Sequence, residues 1–338
     1  MLNDPSSTLN PEEKLLLSLC RLEFSEEQRA ESAEMMKGVR DWDRFVKLAN
    51  EHGITAITAR NINHPELRDL IPAETFKLLE GGRMQSMIRN TWLTGRWKQV
   101  NTILSEAGIK HLLLKGMALE HTVYGSTGLR QMNDVDILVR KDEVMKAWLL
   151  LQAHDFKSDM IKSPLHRKIL ADTGKHMPTL RKDGFPVEIH HRLFLTAHQN
   201  DLLDKAIDDA VEIRIEGSPA YVPDDDIHLE FLKSHYQYHL SLGDFQLRLW
   251  LDIELLSPGS APAITEEMIR NPHSPSVKRQ SREHYRKAFL AMPKSARTRY
   301  LAGDIFPSLK WMTTRHGCGT LKALFYYPQR VGKLFWLI

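Results

Sequence analysis

Three acidic residues in two short apolar stretches are the strongest candidates for chemistry. Asp134 and Asp136 are one residue apart in the stretch DVDILV, and Glu188 interrupts the apolar stretch VEI. Side chains two residues apart on a strand point to the same face, so the two aspartates are expected to project together. Neighbouring carboxylates stay ionised when a cation lies between them. The pattern predicts a site for Mg²⁺ or Mn²⁺, which favour oxygen ligands.

Glu188 completes this site if its strand lies beside the aspartate strand. Three carboxylates are then enough for two metal ions about 4 Å apart, which stabilise the attacking and leaving oxygens of phosphoryl transfer. We therefore assign catalytic and metal-binding roles to Asp134, Asp136 and Glu188. His190 shares the face of Glu188 and is assigned to nucleotide binding, with metal ligation and proton transfer as alternatives. His176 is expected to face the same cleft from the other strand of a hairpin.

A glycine and two basic residues are candidates for binding phosphate. Gly116 comes after the apolar stretch LLL (112–114) and opens a stretch with a helical pattern. Glycine lets the backbone approach a phosphate closely, and the free N–H groups at a helix start bind anions. Lys115 would add a positive charge for a triphosphate, while Arg130 would bind phosphate through two N–H groups or form a salt bridge to the nearby acids. The sequence contains no GxxxxGK[ST] motif, which argues against a P-loop NTPase.

The elements that must position these residues form a mixed α/β region. Two buried strands joined by a helix are predicted within residues 109–139, and a hairpin is predicted to turn at residues 182–184. A second short strand pair is predicted around Gly217. Helical patterns lie on both sides of this region. We therefore predict an N-terminal helical region over residues 1–108, an α/β core over 109–223, and a C-terminal helical region with a basic tail over 224–338.

Composition narrows the class of protein. The chain has 338 residues, of which 42% are hydrophobic and 26% are charged, and this argues against collagen, low-complexity disorder and a pure coiled coil. The two cysteines, Cys20 and Cys318, are too few and too far apart in sequence for a disulfide framework or a cysteine-rich zinc site. The N-terminus lacks a signal-peptide profile, and no stretch approaches the ~20 apolar residues of a membrane span. We expect a cytoplasmic protein without a transmembrane segment.

Charge is distributed unevenly along the chain. From Arg270 to Ile338 there are 14 lysines and arginines but only two acidic residues, whereas the first 269 residues carry a net charge of −9. A basic tail predicts an anionic partner: nucleic acid, a lipid surface, a phosphorylated substrate or the acidic part of the same chain. A solvated basic face is an equal alternative. The ending LFYYPQRVGKLFWLI is typical of a segment at an anionic lipid interface or of a terminal helix that packs on its own core.

The order of these residues resembles the nucleotidyltransferase superfamily that includes DNA polymerase β, and more closely an uncharacterised bacterial nucleotidyltransferase-like family. The resemblance covers roughly residues 40–256. It is carried by LLLKGMALEHTVYGSTGLRQMNDVDILVRKDE (112–143), PVEIHHRLF (186–194) and HLEFLKSHYQYHL…LRLWLDIELL (228–256). In the superfamily, a glycine motif after the first strand holds the nucleotide phosphates, a D-x-D pair binds the metals and a later carboxylate completes the site. These roles correspond here to Gly116, to Asp134 with Asp136, and to Glu188.

Two features depart from the better known members. Met117 follows the glycine where those members have a serine whose hydroxyl contacts phosphate, and Gly116 precedes Asp134 by 18 positions, which is longer than usual. Both departures resemble the closer family. They bear on how the nucleotide is held more than on the fold.

The resemblance implies an α+β fold with a polymerase-β-like core, a small mixed sheet with helices, flanked by N-terminal and C-terminal helical regions. It implies a Mg²⁺-dependent enzyme that moves a nucleoside monophosphate from an NTP, with ATP as the first candidate, to an acceptor hydroxyl or phosphate and releases pyrophosphate. The acceptor would be a small molecule, a peptide, a glycan or tRNA. The alternative is a catalytically inactive nucleotide-binding protein or a membrane-peripheral scaffold.

Overall fold

The computed structural model describes residues 8–194, 201–273, 289–290 and 292–330. The chain divides into two compact units. The first comprises Met1–Gly95, Lys115–Asn133 and His228–Val277, and the second comprises Arg96–Leu114, Asp134–Ile227 and Lys278–Ile338. Each unit combines three separate segments of the chain, whereas the sequence predicts three consecutive regions. Those three regions stay a prediction.

In the described part of the chain, helices come first and last, and the strands lie between residues 111 and 222. The helices are α1 (Pro11–Leu19), α2 (Glu26–Gly38), α3 (Trp42–Glu51), α4 (Thr55–Ile62), α5 (Pro65–Arg68), α6 (Ala73–Glu106), α7 (Lys115–Thr122), α8 (Val144–Ala153), α9 (Pro164–Thr173), α10 (Asp201–Asp208), α11 (Asp225–Ser241), α12 (Leu247–Leu256), α13 (Glu266–Arg270), α14 (Lys294–Ile305), α15 (Leu309–His316) and α16 (Thr320–Leu324). The strands are β1 (His111–Leu114), β2 (Val135–Val139), β3 (Lys157–Ser158), β4 (Leu180–Lys182), β5 (Phe185–His190), β6 (Val211–Ile215) and β7 (Ser218–Val222).

The first unit is helical, and the start of its first helix is capped by side chains. Asn10 caps α1: its side chain accepts a hydrogen bond from the N–H of Glu13 at 2.9 Å, and the Glu13 carboxylate accepts one from the N–H of Asn10 at 3.0 Å. Pro11 occupies the first helical position, where its missing N–H has no intrahelical partner to lose. These two bonds satisfy N–H groups that a helix start would otherwise leave unpaired.

His52 is fully buried in this unit, and both of its ring nitrogens are engaged. Nε2 donates to the carbonyl of Ile269 at 3.0 Å, and Nδ1 accepts a hydrogen bond from the N–H of Leu247 at 3.4 Å. Burial is the main cause that lowers the pKa of His52 to about 4. A proton on Nδ1 would face a donor, so the neutral ring is the form that fits this position.

We expect the protein to lose stability as the pH falls from about 6.5 towards 4. In this window the unfolded chain binds a proton at His52 and the folded chain does not. The contribution of His52 to the free energy of unfolding, up to about 3 kcal/mol, is therefore fully present above pH 6.5 and is lost as the pH falls to 4. Urea denaturation at a series of pH values measures it. His52→Gln keeps a donor for Ile269 but does not titrate between pH 4 and 6.5. The free energy of unfolding of this variant should therefore depend less on pH than that of the wild-type chain. Burial also lowers the pKa of His111 and His191, which leaves a residual slope. Identical slopes in both proteins would contradict this assignment.

A five-stranded mixed sheet organises the second unit, in the order β1-β2-β5-β4-β3. β2 is antiparallel to β1 and parallel to β5, and β4 is antiparallel to both β5 and β3. Every residue of β1 and β2 is buried, as their mostly apolar sequences predict. A small mixed sheet in a largely helical chain confirms the predicted α+β class.

Two tight turns fix the register of the hairpins. Asp183 and Gly184 connect β4 to β5, and both have positive φ angles, 50° and 80°. Glu216 and Gly217 connect β6 to β7 with φ angles of 46° and 82°. Two successive left-handed residues form the turn type that matches the twist of paired strands. Both predicted hairpins are therefore confirmed.

The C-terminal helices of the second unit are short, and prolines, which interrupt helices, recur in this part of the sequence. Asp304, at the end of α14, accepts a hydrogen bond from Lys162 Nζ at 2.6 Å, and the N–H of Ser308 donates to the carbonyl of Lys162 at 2.6 Å. Within the described ranges, no helix has the length and apolar character that a membrane span requires. Much of the predicted basic tail (274–288) and the last eight residues of the amphipathic ending (331–338) lie outside the described residues.

Candidate functional site

Two adjacent parallel strands bring three metal-binding types of side chain together. The register pairs Asp136 of β2 with Glu188 of β5, and His190 lies two residues beyond Glu188 on the same face. One ligand atom from each residue lies within 4.8 Å of the other two. We call these residues the carboxylate–histidine cluster. Asp136 and His190 are 4% and 2% exposed, whereas Glu188 is half-buried, so Glu188 is the member that solvent reaches most easily.

Close contacts hold the cluster in place. His190 Nε2 lies 2.8 Å from Asp136 Oδ1 and 3.7 Å from Glu188 Oε2. Thr179 Oγ1 donates to Glu188 Oε1 at 2.9 Å, and His176 Nε2 lies 4.0 Å from Glu188 Oε2. The ring centroids of His176 and His190 are 5.1 Å apart. His176 therefore lies beside the predicted site residues, as the hairpin pattern suggests.

The cluster fits one divalent cation. Its three ligand atoms converge from neighbouring strands, and two of them belong to carboxylates whose mutual repulsion a cation would relieve. Carboxylate oxygen suits Mg²⁺ and Mn²⁺, and neutral imidazole nitrogen suits Mn²⁺ and later first-row ions. The condition set by the sequence, that the Glu188 strand lies beside the aspartate strand, is met.

Asp134 is not a member of this cluster among the residues that the structure describes. β2 begins at Val135, and Asp134 occupies a bend directly before the strand. The structure thus brings together Asp136 and Glu188 of the predicted metal-binding trio. Catalytic and metal-binding roles for Asp134 stay predictions.

Lys115, and not the glycine, has the unusual backbone conformation at the start of α7. Its φ angle is 48°, a left-handed value that costs an ordinary residue about 1–2 kcal/mol. Gly116 is required for space: a Cβ there would lie 2.9 Å from Met132 Cγ and 3.0 Å from Arg130 Nη1. This close approach gives Gly116 a structural reason to be glycine. Phosphate binding by Lys115 and Gly116 stays a prediction.

Arg130 forms a buried two-point ion pair in the first unit. Its Nη2 lies 2.6 Å from Asp252 Oδ2 and its Nε lies 3.2 Å from Asp252 Oδ1, and the Tyr124 hydroxyl donates to the same carboxylate at 2.9 Å. Burial, followed by the charge of Asp252, raises the pKa of Tyr124. The structure shows Arg130 in a salt bridge with Asp252, 122 residues away in sequence, whereas the prediction named nearby acids. Its role in nucleotide binding stays a prediction.

Sequence reasoning missed two groups of residues around these sites. Glu120 is buried, and its carboxylate accepts hydrogen bonds from the N–H groups of Gly128 at 2.5 Å and Arg130 at 3.3 Å; burial raises its pKa. Together with Asp252, Glu120 fixes the loop after α7. The only sequence signal for this role is that Glu120 is an acidic residue among the apolar residues of α7. Thr179 had a clearer signal, because counting back from the turn at residues 183–184 places it opposite Glu188.

Gly128 in this loop should tolerate no side chain. Its φ angle is 74°, and a Cβ would lie 2.6 Å from the Cα of Met87. Gly128→Ala is expected to lower the free energy of unfolding by about 2 kcal/mol or more through strain and overpacking. Gly125→Ala is the matched control, because φ is 70° and the nearest atom is 4.0 Å away. Urea denaturation should show a clearly smaller loss for Gly125→Ala; equal losses would mean that the Met87 contact contributes nothing.

The chain matches the model of a known protein family. The model of a protein family described as uncharacterised nucleotidyltransferase matches residues 39–271. No curated protein matches the chain. The matched segment contains the carboxylate–histidine cluster, the glycine turn and Asp252, and nucleotidyl transfer is the general reaction of this class. Because the match covers more than half of the chain, the protein belongs to the uncharacterised nucleotidyltransferase family.

Proposed function

We propose that the protein transfers a nucleoside monophosphate from an NTP to an acceptor hydroxyl or phosphate and releases pyrophosphate. The proposal rests on one observation above all: in a chain of this family, two carboxylates and an imidazole converge within 4.8 Å on adjacent strands. Asp136, Glu188 and His190 would hold a divalent cation. Bound there, a cation would neutralise charge on the triphosphate oxygens, which is the largest requirement of phosphoryl transfer.

The side chains of the cluster have different roles in this proposal. Asp136 and His190 are buried and in contact, so they provide a ligand pair whose position the sheet fixes. Glu188 is half-buried, and Thr179 holds its Oε1. We assign Glu188 a second role: its carboxylate accepts the proton of the acceptor hydroxyl, because it is the member of the cluster that solvent, and hence an acceptor, reaches most easily.

Phosphate binding is proposed for residues that follow β1. The N-terminal end of α7, with the backbone at Gly116 and the ammonium group of Lys115, would bind the triphosphate, and Arg130 would contribute while paired with Asp252. Asp134 would serve as an additional carboxylate towards the cation that accompanies the nucleotide. The left-handed conformation of Lys115 supports the first assignment, since such strain concentrates at functional sites. ATP is the first candidate substrate.

The reaction is tested with NTPs labelled at the α-phosphate. The full chain is incubated with each of ATP, CTP, GTP and UTP plus Mg²⁺ or Mn²⁺, in the presence of tRNA, peptide, glycan or small-molecule acceptors. Transfer of the α-label with release of pyrophosphate supports the proposal, because hydrolysis of the γ-phosphate gives neither. Pyrophosphate release that persists in Asp136→Asn would overturn the assigned site.

A nucleic acid or other anionic acceptor would be recruited by the basic C-terminal region. Seven lysines and arginines lie between residues 292 and 330, and the single acidic residue there, Asp304, is buried in an ion pair with Lys162. If the acceptor is tRNA, its affinity should fall steeply as salt rises, since binding would release counterions. For a small uncharged acceptor, KM should change little over the same range of salt.

Exposed apolar side chains favour a second candidate function, peripheral contact with an anionic membrane. Leu321, Leu324 and Phe325 at α16 are 80%, 50% and 78% exposed, beside basic residues. Such a surface suits the interface of an anionic bilayer. The full chain, but not a chain ending at Leu309, should then sediment with anionic vesicles. Leu321→Glu should reduce sedimentation, whereas Leu78→Glu, which replaces a 59% exposed leucine on α6, should not. Equal sedimentation of all four proteins would exclude this function.

A further inference from the structure

The carboxylate–histidine cluster has a ligand set different from the all-carboxylate trio that the sequence predicts. Asp136 and Glu188 contribute oxygen, but the third ligand atom within 4.8 Å is a nitrogen of His190. The nitrogen that faces the carboxylates is Nε2, at 2.8 Å from Asp136 Oδ1 and 3.7 Å from Glu188 Oε2. The imidazole therefore already points at the place where a cation would lie.

The His190 ring is held in this orientation by the fold. His190 is the last residue of β5, opposite Leu138 of β2, and only 2% of it is exposed. Asp136 is buried beside it. Asp136 and His190 would shield a cation at this position from solvent, and water would reach it past the half-buried Glu188. This favours an ion that gives up water readily over one that retains most of its hydration shell.

Ligand chemistry then discriminates between metals. Mg²⁺ demands oxygen ligands in near-ideal octahedral geometry and loses water reluctantly, whereas imidazole nitrogen binds first-row transition metals with affinity rising from Mn²⁺ towards Zn²⁺. We infer that the cluster selects a first-row transition-metal dication over Mg²⁺, with Mn²⁺ the first candidate because two of the three ligands are carboxylates, which suit that ion. This inference deepens the proposed function, on which the catalytic meaning of the site rests, but it concerns metal binding alone.

The test measures metal binding to the full chain without nucleotide. After treatment with a chelator, the protein is titrated with Mn²⁺, and the free ion is followed by electron paramagnetic resonance; Mg²⁺ is then added as competitor. One Mn²⁺ should bind at least 10-fold more tightly than Mg²⁺. Co²⁺ should give a visible absorption spectrum that changes when the nitrogen ligand is removed.

Two variants separate a ligand from a neighbour. His190→Ala should weaken Mn²⁺ binding by 10-fold or more and Mg²⁺ binding by less than threefold, and it should alter the Co²⁺ spectrum. His176→Ala is the matched control, because it removes a histidine that also lies near Glu188 but is outside the cluster, and it should change neither affinity. His190→Asp supplies an oxygen in place of the nitrogen and should shift preference towards Mg²⁺, which keeps the test open if the alanine variant does not fold.

Two results would overturn the inference: equal affinity of the wild-type chain for Mn²⁺ and Mg²⁺, or a loss in His190→Ala that is the same for both ions. Failure of the proposed function would be distinct from either. A chain that binds Mn²⁺ selectively but releases no pyrophosphate from any NTP would exclude nucleotidyl transfer under those conditions and leave the metal preference standing. A chain that releases pyrophosphate but binds Mn²⁺ and Mg²⁺ equally well would support the proposed function and contradict the metal preference.

Discussion

Asp136→Asn is expected to reduce NTP-dependent release of pyrophosphate by roughly 10³-fold. The substitution keeps the size of the side chain and an oxygen that can contact His190, so the buried neighbourhood should survive. It removes the negative charge that a divalent cation requires at the buried end of the cluster. The measurement is kcat/KM for pyrophosphate release, together with the affinity of the variant for Mn²⁺, which should fall as well.

The matched control is Asp183→Asn. Asp183 lies in the turn between β4 and β5 with an exposed side chain, and its φ angle of 50° is one that asparagine adopts readily. This variant should keep wild-type activity and fold. If Asp136→Asn retains more than a tenth of wild-type activity while its circular dichroism spectrum is unchanged, the cluster is not the catalytic centre.

The local parts of this site could be predicted from the sequence. Acidic residues that interrupt apolar strands predicted Asp136 and Glu188, and the turn residues at 183–184 predicted the hairpin that carries Glu188. Alternation along the strand placed His190 on the face of Glu188. These inferences succeed because they depend on contacts between residues close in sequence. The pairing of β2 with β5 brings Asp136 into contact with His190, 54 residues away along the chain, and the sequence could state this pairing only as a condition.

Other features depend on contacts that no local pattern encodes. Alternation predicted that Asp134 would share the face of Asp136; β2 begins at Val135, directly after Asp134, and the role of Asp134 stays a prediction. Gly116 was predicted to let the backbone approach a phosphate, whereas in the structure Met132 and Arg130 crowd it and the left-handed angle falls on Lys115. The partner of Arg130 lies 122 residues away in an apolar helix, where an acid gives no sign of what it contacts.

That partner gives the second large prediction: Asp252→Ala should lower the free energy of unfolding by about 3–5 kcal/mol. The Asp252 side chain has no exposure and that of Arg130 only 6%, so the variant leaves a guanidinium buried without its carboxylate. The Tyr124 hydroxyl loses its acceptor at the same time. Urea denaturation measures the loss. Glu254→Ala, which removes a half-buried acid from the same helix, should change stability by less than about 1 kcal/mol.

A double variant distinguishes the ion pair from a role of Arg130 in holding phosphate. Arg130→Met with Asp252→Leu removes both charges, so it should be less destabilised than Asp252→Ala, because no buried charge is left unpaired. If the pair is purely structural, this double variant keeps its affinity for NTP once it is folded. If Arg130 also binds the triphosphate, affinity falls in every variant that lacks the guanidinium, however stable it is. Unchanged stability of Asp252→Ala would instead mean that the pair does not hold the loop, since a carboxylate that can be removed without loss is not compensating a buried charge.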